Sequence, residues 1–250
     1  MTLLQVAALA LLQGFTEFLP VSSSGHLRIL ERWFGVRAPL TTFDVVLHLG
    51  TLCAVIVFFL LHQRQDTLAL LRFKRPRMLS AIILGTIPTG IIGLSLGRWA
   101  ESSLEDPLWI AGGFLVTAGL LFSTRMARAS RGTRPEPSWR DALLIGVAQG
   151  VGVLRGISRS GITISAGLHL GLDRQGAFNF SFLLSIPAIL GAFILEARHL
   201  DGLDMSAALL ALGFVIAFAS GYVALRLLKR FVLGGHFWLF GVYLIAAAAL

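Results

Sequence analysis

Residues 13–26 read QGFTEFLPVSSSGH, a stretch that gathers an acid, three adjacent hydroxyls and a histidine. Gln13 and Glu17 stand four residues apart and share a face on a helix. Pro20 stops such a helix, and Ser22, Ser23 and Ser24 stand where a second would begin, the ordinary place for capping serines. A related stretch, QGVGVLRGISRSG (149–161), supplies Ser158, Arg159 and Ser160 at its own second half. Capping alone accounts for any one of these serines. Two helix N-termini aimed at one point, with hydroxyls and an arginine fork, also make an anion cradle suited to phosphate. His26, three residues after Ser23, can serve as general base for a hydroxyl or as acid for a leaving group. Glu17 needs a cation, and Arg159, protonated His26 or a metal ion are the candidates.

The surrounding chain says what must hold these groups. Of 250 residues, 56% are hydrophobic and only 14% charged, which is the composition of a polytopic membrane protein. An ionised carboxylate at membrane depth costs roughly 3 kcal/mol on insertion scales, so Glu17 must face a polar cavity. Residues 1–20 lack a basic n-region and an Ala-x-Ala-like site, and read as mature structure. Cys53 lies alone in an apolar run and reads as small filler. The net charge of +8 sits in short loops beside apolar runs, which points to topology and anionic lipid and away from nucleic acid.

Six apolar runs predict transmembrane helices near 43–61, 79–98, 108–125, 177–196, 206–226 and 235–250. Residues 62–77 carry five Lys/Arg and residues 125–140 another five, whereas 101–107 carry none and 196–204 one. The basic loops should be cytoplasmic, which puts the termini outside, against the pull of Arg28, Arg32 and Arg37. Residues 1–35 and 140–171 are instead broken partway by Pro or by Gly and Ser, the pattern of two re-entrant helix-turn-helix segments.

The two tips are copies. At an offset of 136, Gln13 pairs with Gln149, Gly14 with Gly150, Ser22 with Ser158, Ser24 with Ser160 and Gly25 with Gly161. At an offset of 135, residues 42–59 run alongside 177–194, pairing Phe43 with Phe178 and Asp44 with Asn179. Residues 1–135 and 136–250 thus form two repeats, each with one re-entrant segment and three spans. An odd number of spans inverts the second repeat, and the tips should meet near the midplane. Arg159 stands at the position of Ser23, so one tip supplies Glu and His and the other Arg.

Other polar residues carry plainer readings. His48 is taken as a satisfied structural histidine, with a supporting role at the site as the alternative. His169, His199 and His236 read as interfacial, and Asp44 and Asn179 as N-caps of their spans.

With these residues in view, the chain resembles the undecaprenyl pyrophosphate phosphatase family, the bacitracin-resistance phosphatases. QGFTEFLPVSSSGH is similar to the family's (E/Q)xxxE and PVSSxGH pattern, and GISRSGIT (156–163) to its PGxSRSxxT pattern. TIPTGIIG (86–93) and FSFLLSIPAILGA (180–192) also read as family-like. The resemblance implies hydrolysis of the C55 isoprenoid diphosphate to its monophosphate, with a divalent cation (Mg2+ or Ca2+) assisting. It also implies recycling of the lipid carrier for the cell wall, in the bacterial inner membrane.

Carried onto this chain, the resemblance makes Glu17, His26, Ser23 and Arg159 catalytic. Ser158 and Thr163 also match family positions linked to activity, with Gln13 at the first (E/Q) position; together with Ser22, Ser24 and Ser160 of the anion cradle they would bind substrate, and Glu17 would be the candidate metal ligand. Gln13 takes the neutral option at the first position and removes a metal carboxylate, and Arg155 stands where the family usually has Pro. The expected partners are the polyprenyl diphosphate lipid and the bilayer, and a homodimer is compatible with this reading. Ser23 as nucleophile and a metal-held water both remain open, with the site expected to face the periplasm. The rival from another class is a transporter or flippase of a polyprenyl phosphate, since inverted repeats with broken helices also serve alternating access. The chemical inequality of the two tips favours the enzyme, because a carrier needs affinity and no acid/base pair.

Overall fold

The computed structural model describes residues 1–36, 41–63, 74–103, 106–126, 133–196 and 205–249, together with residues 67, 68, 70 and 72. These form ten helices: α1 Leu3–Phe18, α2 Ser23–Trp33, α3 Thr41–His62, α4 Pro76–Ser103, α5 Pro107–Ser123, α6 Trp139–Val151, α7 Arg159–His169, α8 Arg174–Glu196, α9 Ala207–Leu233 and α10 Leu239–Ala247. Among the described residues there is no named strand, only an isolated bridge between Arg134 and Leu172.

Local chemistry explains the boundaries. Thr2 and Ser138 open α1 and α6 with reciprocal capping boxes, and Asp106 caps α5 just before Pro107. α1 ends where Leu19 turns extended ahead of Pro20, as a residue before proline must. The second break runs from Gly152 to Ser158 and contains Gly156 at φ +85°. A Cβ at Gly156 would lie 2.5 Å from the Ile110 carbonyl oxygen, so conformation and space alike require glycine there.

Four helices, α3, α4, α8 and α9, are long and apolar enough to cross a membrane. The third apolar run of each half forms a shorter helix than the sequence suggests. α5 has 17 residues, because it is bounded by its Asp106 cap and the turn after Ser123. The run 235–250 yields only nine helical residues, because Gly234 caps α9, Gly235 takes φ +77° and the chain turns again before Leu239. Arg37 and His199 lie outside the described residues, as do most of the loops at 64–73, 127–132 and 197–204.

Packing crosses between the halves. α1 packs chiefly on α9 and α6 on α4, while α3 also lies on α9, α8 on α4, and α5 on α10. The α4/α6 seam is closed by Gly85 and Gly146, where a Cβ on Gly146 would overlap the Gly85 carbonyl oxygen. Likewise a Cβ on Gly14 would come 2.7 Å from the Ala217 carbonyl oxygen of α9. Phe18 of α1, Phe58 of α3 and Phe178 and Phe182 of α8 form an edge-to-face chain with centroids 4.8 to 6.0 Å apart. That chain ties the end of α1 to the first long helix of each half.

Gly146→Leu is expected to destabilise the solubilised protein by about 2–3 kcal/mol through forced separation of α4 and α6. Gly119→Leu, at a position with nothing within 4 Å of its Cβ, should leave the melting temperature unchanged.

Candidate active site

The two helix breaks meet at Glu17, whose side chain is only 8% exposed near the end of α1. Arg159, the first residue of α7, places Nη2 2.5 Å from Oε1. Ser23, the first residue of α2, donates its hydroxyl to Oε2 at 2.7 Å. The first residues of the two short helices, at paired positions of the repeat, thus grip one carboxylate, one oxygen each. Gln13 adds an amide N–H to Oε2 at 3.2 Å, as its spacing on α1 predicts.

His48 completes this shell, where it is both a satisfied histidine and a neighbour of Glu17. Its Nε2 lies 3.9 Å from Glu17 Oε2, while its Nδ1–H donates to the Asp44 carbonyl at 2.8 Å. The backbone bond satisfies the histidine, as expected, and also aims its other nitrogen at Glu17. Nothing in the local sequence around His48 signals this, because it depends on how α3 packs against α1.

The second tip is a fully bonded platform. Ser158 caps α7 by accepting from the Gly161 N–H at 3.1 Å, and its Oγ lies 3.2 Å from Ser160 Oγ. The Ser158 N–H donates to Thr117 Oγ1 at 3.1 Å, and that hydroxyl lies 3.2 Å from the Gly156 carbonyl. Thr163 bonds Ser181 at 2.6 Å and the Arg159 carbonyl at 2.8 Å. Ser158, Ser160 and Thr163 are all buried, and in this arrangement they fix Arg159 rather than line an open surface. Arg155 lies close enough to Glu31 of α2 for their charges to interact, and Glu31 in turn pairs with Arg28 at 3.2 Å. The extra charge noted in the sequence thus acts on an acid near the C-terminal end of α2.

The first tip is built differently. Ser22 occupies the cap position of α2 at φ +68°, makes no side-chain capping bond, and sets its Oγ 3.4 Å from Ser24 Oγ. Its twin Ser158 sits at φ −81° and does cap. A non-glycine residue in the left-handed region stores roughly 1–3 kcal/mol of strain. No side chain of the cap residue satisfies the first-turn N–H groups of α2.

His26 sits apart from Glu17. Its Nδ1 lies 2.9 Å from the Ser22 carbonyl and its Nε2 2.7 Å from the Tyr243 hydroxyl, with the Phe114 ring 4.9 Å from its own. Of the cations considered for Glu17, Arg159 makes the contact and His26 does not; His48 also faces Glu17, and Tyr243 faces His26. Asp44 and Asn179 are not N-caps either. Asp44 lies inside the first turn of α3, and Asp173 caps α8 by accepting from the Gly176 N–H at 2.6 Å. Asn179 lies a turn further on and accepts from Gln63 and Gln175. His169 closes α7 and His236 lies between α9 and α10, at helix ends as expected.

The donor set does not fit a divalent cation held by the protein alone. Among the described residues no three His, Cys, Asp or Glu side chains cluster. Both oxygens of Glu17 are already engaged, and the Arg159 guanidinium and the His48 ring crowd the same carboxylate. Beside Glu17, the buried Gln13 Oε1 lacks a partner among the described residues, but it is neutral. Ca2+ takes about six to eight oxygen ligands, and Mg2+ is held by one or two carboxylates together with waters and substrate phosphates, so these residues without substrate supply too few donors.

The family profile described as bacitracin resistance protein BacA matches residues 6–250. An undecaprenyl-diphosphatase of Desulfatibacillum aliphaticivorans is 39% identical, the alignment covering 96% of this chain and 94% of that protein. One of Treponema denticola is 41% identical over 98% and 94% of the two chains. One of Nitrosococcus oceani is 40% identical over 100% and 98%.

Proposed function

The chain belongs to the bacitracin resistance protein BacA family, and from that premise we propose that the Glu17 cluster is where it cleaves undecaprenyl diphosphate. The protein is a multi-pass membrane phosphatase that converts this lipid to undecaprenyl phosphate and inorganic phosphate, which serves cell-wall synthesis and bacitracin resistance. The observation that carries the site assignment is the shared grip of Ser23 and Arg159 on Glu17.

In the proposed reaction, Arg159 and the uncapped first turn of α2 receive the terminal phosphate and offset charge that develops on its oxygens. Ser23 attacks phosphorus as its proton passes to Glu17 Oε2, along the hydrogen bond already in place. The bridging P–O bond breaks and its electron pair leaves on the lipid phosphate. Water then attacks the phosphoserine, His26 takes up the water's proton, and Glu17 returns its proton to Ser23 Oγ. No step is routed through a metal.

The proposed topology is an inverted pair of repeats, 1–135 and 136–250, with six crossings and two re-entrant segments whose tips meet near the midplane. The reciprocal docking of α1 on α9 and α6 on α4 supports it, as does the matched order of helices in the two halves. The loop charges favour a plasma-membrane enzyme whose site opens outward.

Ser23→Ala should lower kcat by about two orders of magnitude or more with KM little changed. Acid quenching of wild-type turnover on substrate labelled in its terminal phosphate should leave label on Ser23. Substantial turnover by Ser23→Ala, together with no trapped phosphate, would replace Ser23 by water as the nucleophile.

A further inference from the structure

The hydrogen-bond state of His26 identifies a partner that the sequence motifs do not contain. A backbone carbonyl can only accept, so the contact with Ser22 fixes the proton on Nδ1 and leaves Nε2 as the nitrogen free to exchange one. The group that Nε2 addresses is the Tyr243 hydroxyl, 2.7 Å away, on a ring inclined only 15° to the imidazole. Phe114 of α5 lies against the imidazole as well, at 4.9 Å between centroids. The ring is thus held by a carbonyl at one nitrogen, a phenol at the other and an aromatic neighbour. Tyr243 itself is 49% exposed, so its hydroxyl links the half-buried His26 to the surface of the protein.

We propose that Tyr243 is a further catalytic residue, the group through which His26 exchanges its proton with the attacking water. This rests on the assignment of His26 as base. In the hydrolytic step the water oxygen bonds phosphorus and the Ser23 Oγ–P bond breaks with its electron pair on Oγ. The water proton passes to the phenol oxygen as the phenol proton passes to Nε2, and Glu17 supplies the proton that restores the serine.

The test is a double-mutant cycle with Tyr243→Phe and His26→Ala, assayed for phosphate release from undecaprenyl diphosphate in detergent. Tyr243→Phe keeps the ring and should lower kcat by about tenfold to a hundredfold, with KM within about twofold and the melting temperature unchanged. Tyr243→Phe/His26→Ala should be no slower than His26→Ala, because the phenol acts only through that imidazole. Wild-type kcat in Tyr243→Phe, or losses that multiply in the double variant, would overturn the proposal while leaving His26 as base. Full activity in His26→Ala would remove both assignments.

Discussion

Glu17→Gln is expected to reduce phosphate release by about three orders of magnitude, the largest loss of any single substitution in this chain. The isostere keeps the volume of the side chain and one oxygen for the Ser23 hydroxyl. It cannot take the serine proton, and it leaves the Arg159 guanidinium, 16% exposed, facing a neutral amide. Breaking a buried pair by removing one partner costs about 3–5 kcal/mol, so the melting temperature should fall together with kcat. Phosphate release under single-turnover conditions, read beside a thermal melt in detergent, separates the two effects. Retained fold with lost chemistry supports the proton-acceptor role. Retained chemistry would remove Glu17 from the reaction and reduce it to the structural anchor of the two tips.

Arg159→Ala should approach the same loss, and by a different route. The guanidinium holds Glu17 Oε1, and in the proposed reaction it also meets the terminal phosphate, so its removal weakens charge stabilisation and strands the carboxylate. Arg159→Lys keeps a positive charge without the planar fork, and should recover about tenfold of the activity lost in Arg159→Ala. KM is expected to rise more for these variants than for Glu17→Gln, because arginine contacts the phosphate in the ground state as well. Combining Glu17→Gln with Arg159→Ala should destabilise the fold by less than the two single losses summed, since neither charge is then left unpaired. Additive melting shifts would show that the pair is not coupled.

These expectations share one structural cause. The groups proposed to react come from two unlike tips, each a helix-break-helix unit. Gln149, the twin of Gln13, shows how far the copies have diverged. It spends its amide on Thr89 and the Leu184 carbonyl, where it fastens α6 to α4 and α8. Gln13 turns the same group toward Glu17. Ser158 and Ser160 likewise became a satisfied cap, whereas Ser22 and Ser24 frame an uncapped turn. One tip holds an arginine in a bonded frame, and the other keeps the Ser22 strain and an uncapped first turn.

Much of this was legible in one dimension. Local rules place Glu17 on the face of Gln13, stop α1 before Pro20, start α2 and α7 at their serines, and label the chain as a membrane protein. Each depends on a backbone period, a missing N–H or a mean composition, all of which a sequence states directly. The repeat offset of 136 also announced that Ser23 and Arg159 are counterparts. What the sequence could not state is which side chain from another helix fills a given contact. His48 was read first as structural, yet packing of α3 against α1 aims it at Glu17. His26 stands near Glu17 in the chain, yet α10 brings Tyr243 to its free nitrogen from 217 residues away. The short ends at α5 and α10 escaped a count of apolar residues because caps and a positive-φ glycine, not hydrophobicity, set their lengths. Helix existence follows from local propensity and pattern. The partners of a buried polar group follow from long-range packing, and those only the tertiary structure decided.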